Sequence, residues 1–287
     1  MRRPDCRRFL DSPVRSAEAL EAATIALSRS TGFYSVEGKQ LEYVWLGPKS
    51  EDALTLVFLH EGLGCVALWQ DFPERVARAS GCGVLVYSRA GYGGSDPADL
   101  PRPLSYMHDE GLEVLPALLD AAGVRNAVLV GHSDGSSIAL IHAGGVTDPR
   151  IKGLVLMAPH VFVEPLSLES IANSKALYTD TDLRERLKHY HGDNVDCAFW
   201  GWNDAWLSAA FVDWNIEQYL PQISIPTLLI QGRGDQYGTE RQLQAIASQL
   251  SGPVTTVLLE RCGHSPFRDQ PKLSQQALVD FIQTCHR

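Results

Sequence analysis

Three side chains in this chain have the types needed to turn a hydroxyl into a nucleophile. Ser133 lies in "AVLVGHSDGSSIAL", where Gly131-His132-Ser133-Asp134-Gly135 reads G-x-S-x-G. The apolar run Ala127 to Val130 predicts a buried strand, and Ser136 to Leu140 predict a helix. A serine at so sharp a strand-to-helix turn is held in a strained backbone with its hydroxyl exposed, and glycines flank it because a Cβ would clash. A bare G-x-S-x-G arises often by chance; one set between a strong strand and a helix is far more specific. Serine alone is a weak nucleophile and needs a base held by an acid. The stretch "PTLLIQGRGDQYG" is a second apolar strand that leaves Asp235 just past its end. In "PVTTVLLERCGHSPF", His264 falls in the loop after the last strand. Taken singly, Asp235 could equally cap a helix and His264 could sit on the surface. Because each follows a strand, all three are expected to converge on one sheet edge.

The elements that must bring them there are legible as an alternation. A hairpin with Gly38 in its turn is predicted from "GFYSVEGKQLEYVWLG". Strands are predicted at 54–60, 83–88, 127–132, 151–158, 226–231 and 254–259, and helices at 68–79, 104–122, 134–143, 238–250 and 271–284. This is an α/β pattern, a mostly parallel sheet with helices on both faces. The alternation breaks between 159 and 221, where the pattern is helical throughout, with pieces at 167–178, 180–190, 194–207 and 208–219. Trp200, Trp202, Trp206 and Trp214 all lie there. An all-helical insertion between two strands is expected to fold as a cap over the ligand-binding edge of the sheet. The division is therefore an arm over 1–30, weakly helical at 17–27, a core of 31–158 and 222–287, and a cap of 159–221.

Bulk properties exclude several functions. The chain has 287 residues, 45% hydrophobic and 21% charged, which suits one large α/β domain. A net charge of −9 argues against binding nucleic acid or an anionic membrane surface. No apolar run approaches the ~18 residues of a membrane span. The basic start, "MRRPDCRRFL", lacks a signal peptide's apolar core, and Asp5, Asp11, Glu18 and Glu21 argue against a transit peptide. Six scattered cysteines (Cys6, Cys65, Cys82, Cys197, Cys262, Cys285) without a C-x-x-C pair suggest free thiols in a reducing compartment, the cytoplasm by default.

From about residue 33 to 284 the chain resembles the α/β-hydrolase fold in its capped single-domain form. That broad group includes carboxylesterases, enol-lactonases, carbon–carbon bond hydrolases and proline iminopeptidases. The resemblance rests on the elbow, "GRGDQYG", "CGHSPF" and "YSRAGYGGSDP", together with the chain order Ser133, Asp235, His264. In "YSRAGYGGSDP", Ser88 stands where the family commonly has aspartate, and Arg89, Gly91, Gly93 and Ser95 are expected to shape the loop. The resemblance implies an eight-stranded-type sheet and a cofactor-free, metal-free serine hydrolase. By the match of His60-Glu61-Gly62-Leu63-Gly64 to the family's H-G-x-x-G turn, backbone N–H groups of Gly62 and Asp134 would form the oxyanion hole.

Glu61 departs from that pattern by placing a carboxylate beside a site for negative charge. Three readings stand: the side chain turns away and accepts backbone or Arg89 hydrogen bonds; with Asp134 it repels anions or attracts a cation; or one of the two carboxyls stays protonated as a donor. His60 is expected to brace the turn, and His132 to be packed or hydrogen-bonded away from the nucleophile. His160 could line the pocket. His189 and His191 form an H-x-H without the further ligands a metal would need. Substrate-binding candidates are Glu61, Leu63, His160, Trp200 and Trp206, in an apolar, partly aromatic pocket.

The expected reaction is cleavage of a small, largely apolar ester, lactone or thioester. A carbon–carbon hydrolase would want a cationic residue for its acidic substrate, and an aminopeptidase would want carboxylates for an ammonium. A small-ligand receptor retaining the hydrolase fold is the rival from another class. The expected partner is a small-molecule substrate; exposed cap aromatics leave a homodimer open.

Overall fold

The computed structural model describes residues 27–49 and 53–285. Most of the expected arm lies outside the described residues, but Arg29 and Ser30, assigned to that arm, belong to the sheet: they pair with Leu46 and Trp45. The hairpin strands are β1 (Arg29–Val36) and β2 (Lys39–Leu46). Between them Glu37 and Gly38 have φ of 47° and 76°. Two positive φ values in a two-residue loop match the right-handed strand twist.

Six further strands follow: β3 (Thr55–Leu59), β4 (Gly83–Tyr87), β5 (Ala127–His132), β6 (Ile151–Met157), β7 (Thr227–Gly232) and β8 (Val254–Leu259). They form one eight-stranded sheet in the order β1-β2-β4-β3-β5-β6-β7-β8. The β1–β2 and β2–β4 pairs are antiparallel and the rest parallel. In β5 alternate residues enter two different cores: Ala127 and Leu129 join Leu154 and Leu156 on one face, while Val128 and Val130 join Trp69, Phe72 and Phe281 on the other. A strand covered on both faces must be apolar at successive positions, which is why it reads as a continuous run.

The helix expected over 68–79 is interrupted. Val66–Trp69 makes a single tight turn, Gln70 has φ 54°, and α1 (Phe72–Ser80) begins with Pro73 in its first turn. Leu68, Trp69 and Phe72 are nonetheless all buried, so their apolar pattern continues across the break. The 104–122 stretch forms α2 (Tyr106–Asp109), a wide turn at Glu110–Val114 and α3 (Leu115–Ala122). Next comes α4 (Asp134–Gly145), between β5 and β6, and then α5 (Pro165–Asp180), α6 (Leu183–His191) and α7 (Val195–Trp206), these three between β6 and β7. The helix expected over 208–219 is not formed. Instead, short turns at Ala209–Phe211 and Glu217–Gln222 flank a bridge from Phe162 to Asn215, and stacked Phe211 and Trp214 supply the burial that suggested a helix. The chain ends with α8 (Glu240–Gln249), α9 (Pro266–Asp269) and α10 (Pro271–Cys285).

Candidate active site

Five parallel strands deliver one residue or turn each to a single site. β3 leads into the 60–64 turn, β5 into Ser133, β6 toward His160, β7 into Asp235 and β8 toward His264. Ser133 has φ 52° and ψ −120°, a region that costs an L-residue about 1–3 kcal/mol. The glycine requirement around it is steric: a Cβ on Gly135 would lie 2.0 Å from the Leu59 carbonyl oxygen, and one on Gly131 would lie 2.6 Å from the backbone of Ser136. Buried strands on either side thus hold the serine in its strained turn.

His264 Nδ1 lies 2.8 Å from Asp235 Oδ1. The same carboxylate oxygen accepts the Tyr237 N–H at 2.8 Å, and Gln231 Nε2 donates to Oδ2 at 3.2 Å. Burial would raise the Asp235 pKa, but the charge and hydrogen bond of His264 and the Tyr237 N–H outweigh it and hold the carboxyl below its usual value. The acid is therefore ionised, and its oxygen fixes the imidazole with the proton on Nδ1 and Nε2 left for other work. Ser133 and His264 are both walls of one cavity of about 110 Å³, although among the described residues no group hydrogen-bonds the Ser133 hydroxyl. Catalytic hydrogen bonds of this kind commonly tighten only with substrate bound.

Gly62 and Asp134 also wall the cavity. Asp134 opens α4, so its N–H has no partner within the helix. Among the described residues no acceptor takes the Gly62 N–H. His60 braces the turn: its Nδ1 lies 2.7 Å from the Glu61 carbonyl oxygen, and its Nε2 accepts the Arg89 N–H at 3.1 Å. Arg89 reaches this turn too, but its Nη2 donates to the Glu61 carbonyl oxygen at 3.0 Å, not to the carboxylate. The Glu61 carboxylate instead meets His132, with Oε2 3.2 Å from Nδ1. Burial would raise the Glu61 pKa, yet the bond and charge of His132, with Arg268 and His60 nearby, hold it far below the usual carboxylate range.

Asp134 behaves oppositely. Its side chain is buried, Tyr106 donates to Oδ2 at 2.5 Å, and Trp206 Nε1 donates to Tyr106 Oη at 3.1 Å. Burial raises its pKa despite the opposing pull of Arg89, Tyr106 and Trp206. His160 is neutral: burial and the neighbouring His264 push its pKa down to about 3. Its ring lies edge-on to Trp206 at 5.6 Å and tilted against His264 at 5.6 Å.

Of the residues named from sequence, Ser133, His264, Gly62, Asp134, Glu61, Leu63, His160 and Trp206 line the cavity, and Asp235 stands behind His264. Trp200 does not line it. That ring packs edge-on against Tyr178 and Phe199, with Lys175 Nζ 5.3 Å above it. Trp202 takes the place: it lies four residues before Trp206, on the same face of α7, whereas Trp200 points elsewhere. Indole 202 lies so close to the turn that a Cβ on Gly62 would fall 2.2 Å from its Nε1. Ser167, Ile171 and Tyr237 complete the wall. The i, i+4 spacing of Ser167 and Ile171 was a usable signal; the position of Tyr237 two residues after the acid was another. His191 serves the loops, with Nδ1 accepting the Gly93 N–H at 3.1 Å and Nε2 3.1 Å from the Leu63 carbonyl oxygen.

This sheet and elbow define an α/β-hydrolase. Residues 56–273 match the alpha/beta hydrolase family, and the chain belongs to it. Among curated relatives, RutD of Pseudomonas savastanoi pv. phaseolicola, named for carbamate hydrolysis, is 30% identical over 257 residues, covering 79% of this chain and 93% of RutD. The proline iminopeptidase of Lactobacillus crispatus is 23% identical over 267 residues, covering 80% of this chain and 90% of that protein. Among solved structures, the 2-hydroxy-6-oxo-6-phenylhexa-2,4-dienoate hydrolase of Rhodococcus aligns with TM-score 0.74 at 16% identity, covering 90% of this chain and 99% of that one. The enol-lactonase of Burkholderia xenovorans aligns with TM-score 0.65 at 20% identity, covering 88% and 99%. These two likenesses concern the fold.

Proposed function

We propose that the protein is a serine hydrolase that cleaves a small, largely apolar ester, lactone or thioester through an acyl-enzyme. The observation that carries this reading is the 2.8 Å contact of His264 Nδ1 with Asp235, in an imidazole that shares a cavity with the strained Ser133. In the reaction, Ser133 Oγ attacks the carbonyl carbon as His264 Nε2 takes its proton, and Asp235 stabilises the imidazolium. The oxyanion rests on the N–H groups of Gly62 and Asp134, each donor being worth about 3–4 kcal/mol. His264 then protonates the leaving group and activates water for deacylation. The helices between β6 and β7 act as the cap, since Ser167, Ile171, Trp202 and Trp206 close the cavity from that side. Free Cys65, Cys197, Cys262 and Cys285 support a reducing compartment such as the cytoplasm.

The cavity volume favours a short acyl group. Among the described residues its walls include no lysine or arginine, which weighs against a carbon–carbon hydrolase acting on an acidic substrate. An aminopeptidase would need a free carboxylate for its ammonium. Glu61 is already paired with His132, and the Asp134 carboxyl already accepts the Tyr106 hydroxyl, so neither stands free for one.

A fluorophosphonate label located by peptide mapping, with an ester chain-length series, tests the reading. Labelling at Ser133, turnover that falls with acyl length, and a loss of at least about 10⁴-fold in kcat for Ser133→Ala are expected. Labelling elsewhere, or an active Ser133→Ala enzyme, refutes it; single turnover without release would instead favour a ligand receptor.

A further inference from the structure

His132 joins three of the segments that build the site. It precedes Ser133 in the chain, its Nδ1 lies 3.2 Å from Glu61 Oε2, and its Nε2 lies 2.7 Å from the carbonyl oxygen of His264. We infer that Glu61 and His132 are positioning residues, a buried ion pair through which one imidazolium holds the backbone of His264 in register with Ser133. The inference rests on the assignment of His264 as base made above.

The proton count supports the charge. A carbonyl oxygen and an ionised carboxylate only accept hydrogen bonds. Facing both, the ring needs a proton on each nitrogen, which makes it an imidazolium. A neutral ring would set a nitrogen lone pair against one of these oxygens. With the ring 1% exposed, water could not relieve that conflict. The other way to satisfy both contacts is a protonated Glu61 that donates to Nδ1, and the nearby Arg268 guanidinium favours the carboxylate instead. The remaining surroundings agree. Trp69 and Phe267 meet the ring edge-on, His264 tilts against it at 5.1 Å, and His160 adds a neutral ring nearby. On the carboxylate side stand Arg268 and neutral His60.

The consequence is a two-point mount for the base. Asp235 fixes the ring of His264 through Nδ1, and His132 fixes its main chain through the carbonyl oxygen. Together they determine where Nε2 points. Glu61 supplies the countercharge that keeps the second proton on His132, which accounts for a carboxylate beside the oxyanion turn. Its carboxylate bends back over Gly64, where an added Cβ would lie 2.5 Å from Oε2.

Two variants separate positioning from packing. In His132→Gln the side-chain amide can occupy the place of Nε2 and donate to the His264 carbonyl; in His132→Asn it reaches only the place of Nδ1. We expect His132→Gln to keep kcat within about threefold, and His132→Asn to lose about 100-fold in kcat with KM little changed, the cost of a displacement near 1 Å. Equal losses in both variants, or none in His132→Asn, overturn the inference. Nitrogen-15 NMR of the unaltered protein at pH 7 provides a readout independent of variant folding. Two protonated ring nitrogens, in signals absent from His132→Gln or assigned through Glu61, support it; a singly protonated ring overturns it. An inactive Ser133→Ala beside a fully active His132→Asn would defeat the inference alone, whereas an active Ser133→Ala would defeat the proposed function.

Discussion

His160 shows how one buried side chain can shape the pH response of the whole protein. It is 3% exposed, and its pKa lies at about 3, against about 6.5 for an unfolded histidine. Between those values the unfolded chain binds a proton that the folded chain refuses, so acid favours unfolding. Stability should fall as pH drops below about 6.5, by up to about 1.4 kcal/mol per pH unit from this group. Urea unfolding at pH 7 and pH 5 should show about 2 kcal/mol less acid loss in His160→Gln than in the unaltered protein. An identical loss in both would mean that the ring can be protonated in place. The strand-end placement of Ser133, Asp235 and His264 was legible in sequence because each lies in the segment that follows an apolar strand. The Glu61–His132 pair was not, because its partners are 71 residues apart and meet only once β3 and β5 are paired.

At the scale of elements, the approach of α7 to the 60–64 turn decides how the Gly62 N–H, the proposed oxyanion donor, is presented. A Cβ on Gly62 would strike the Trp202 indole at 2.2 Å, so the backbone at 62 and the ring at 202 cannot both stay in place in Gly62→Ala. That variant should lose up to about 100-fold in kcat/KM as the N–H moves off the oxyanion position. Adding Trp202→Leu should recover part of the loss, because the clash then has room to relax, and Trp202→Leu alone should accept longer acyl chains. Non-additivity measured in this double-mutant cycle checks the contact; strictly additive losses would exclude it. Parallel strands were readable from their apolar runs, as both faces are covered. Helix boundaries were less so. Gln70 leaves the helical region inside an unbroken apolar pattern, and over 208–219 aromatic stacking produced the same burial without a helix. The strand order β2-β4-β3-β5 was not encoded in any local pattern, since it depends on which strands meet across crossovers.

For the molecule as a whole, the net charge of −9 and the composition of the cavity wall make separable contributions to selectivity. The overall field repels an anionic substrate from a distance, and salt screens that repulsion as the Debye length shrinks from about 30 Å at 0.01 M to about 8 Å at 0.15 M. The wall contributes differently. Glu61 is paired to His132 and Asp134 is held by Tyr106, and among the described residues the wall has no lysine or arginine to receive a carboxylate. A carboxylate entering the cavity therefore loses its hydration without gaining a partner, a cost that salt does not remove. Comparing a neutral short-chain ester with a half-ester anion of equal size should show the neutral one preferred at both ionic strengths. Raising the salt should lift kcat/KM for the anion severalfold and leave the neutral ester nearly unchanged, so that the gap narrows without closing. Full closure would place all of the discrimination in the long-range field. Preference for the anion at any salt would mean that a cation reaches the acyl site, and would favour the acidic substrates of carbon–carbon hydrolysis instead.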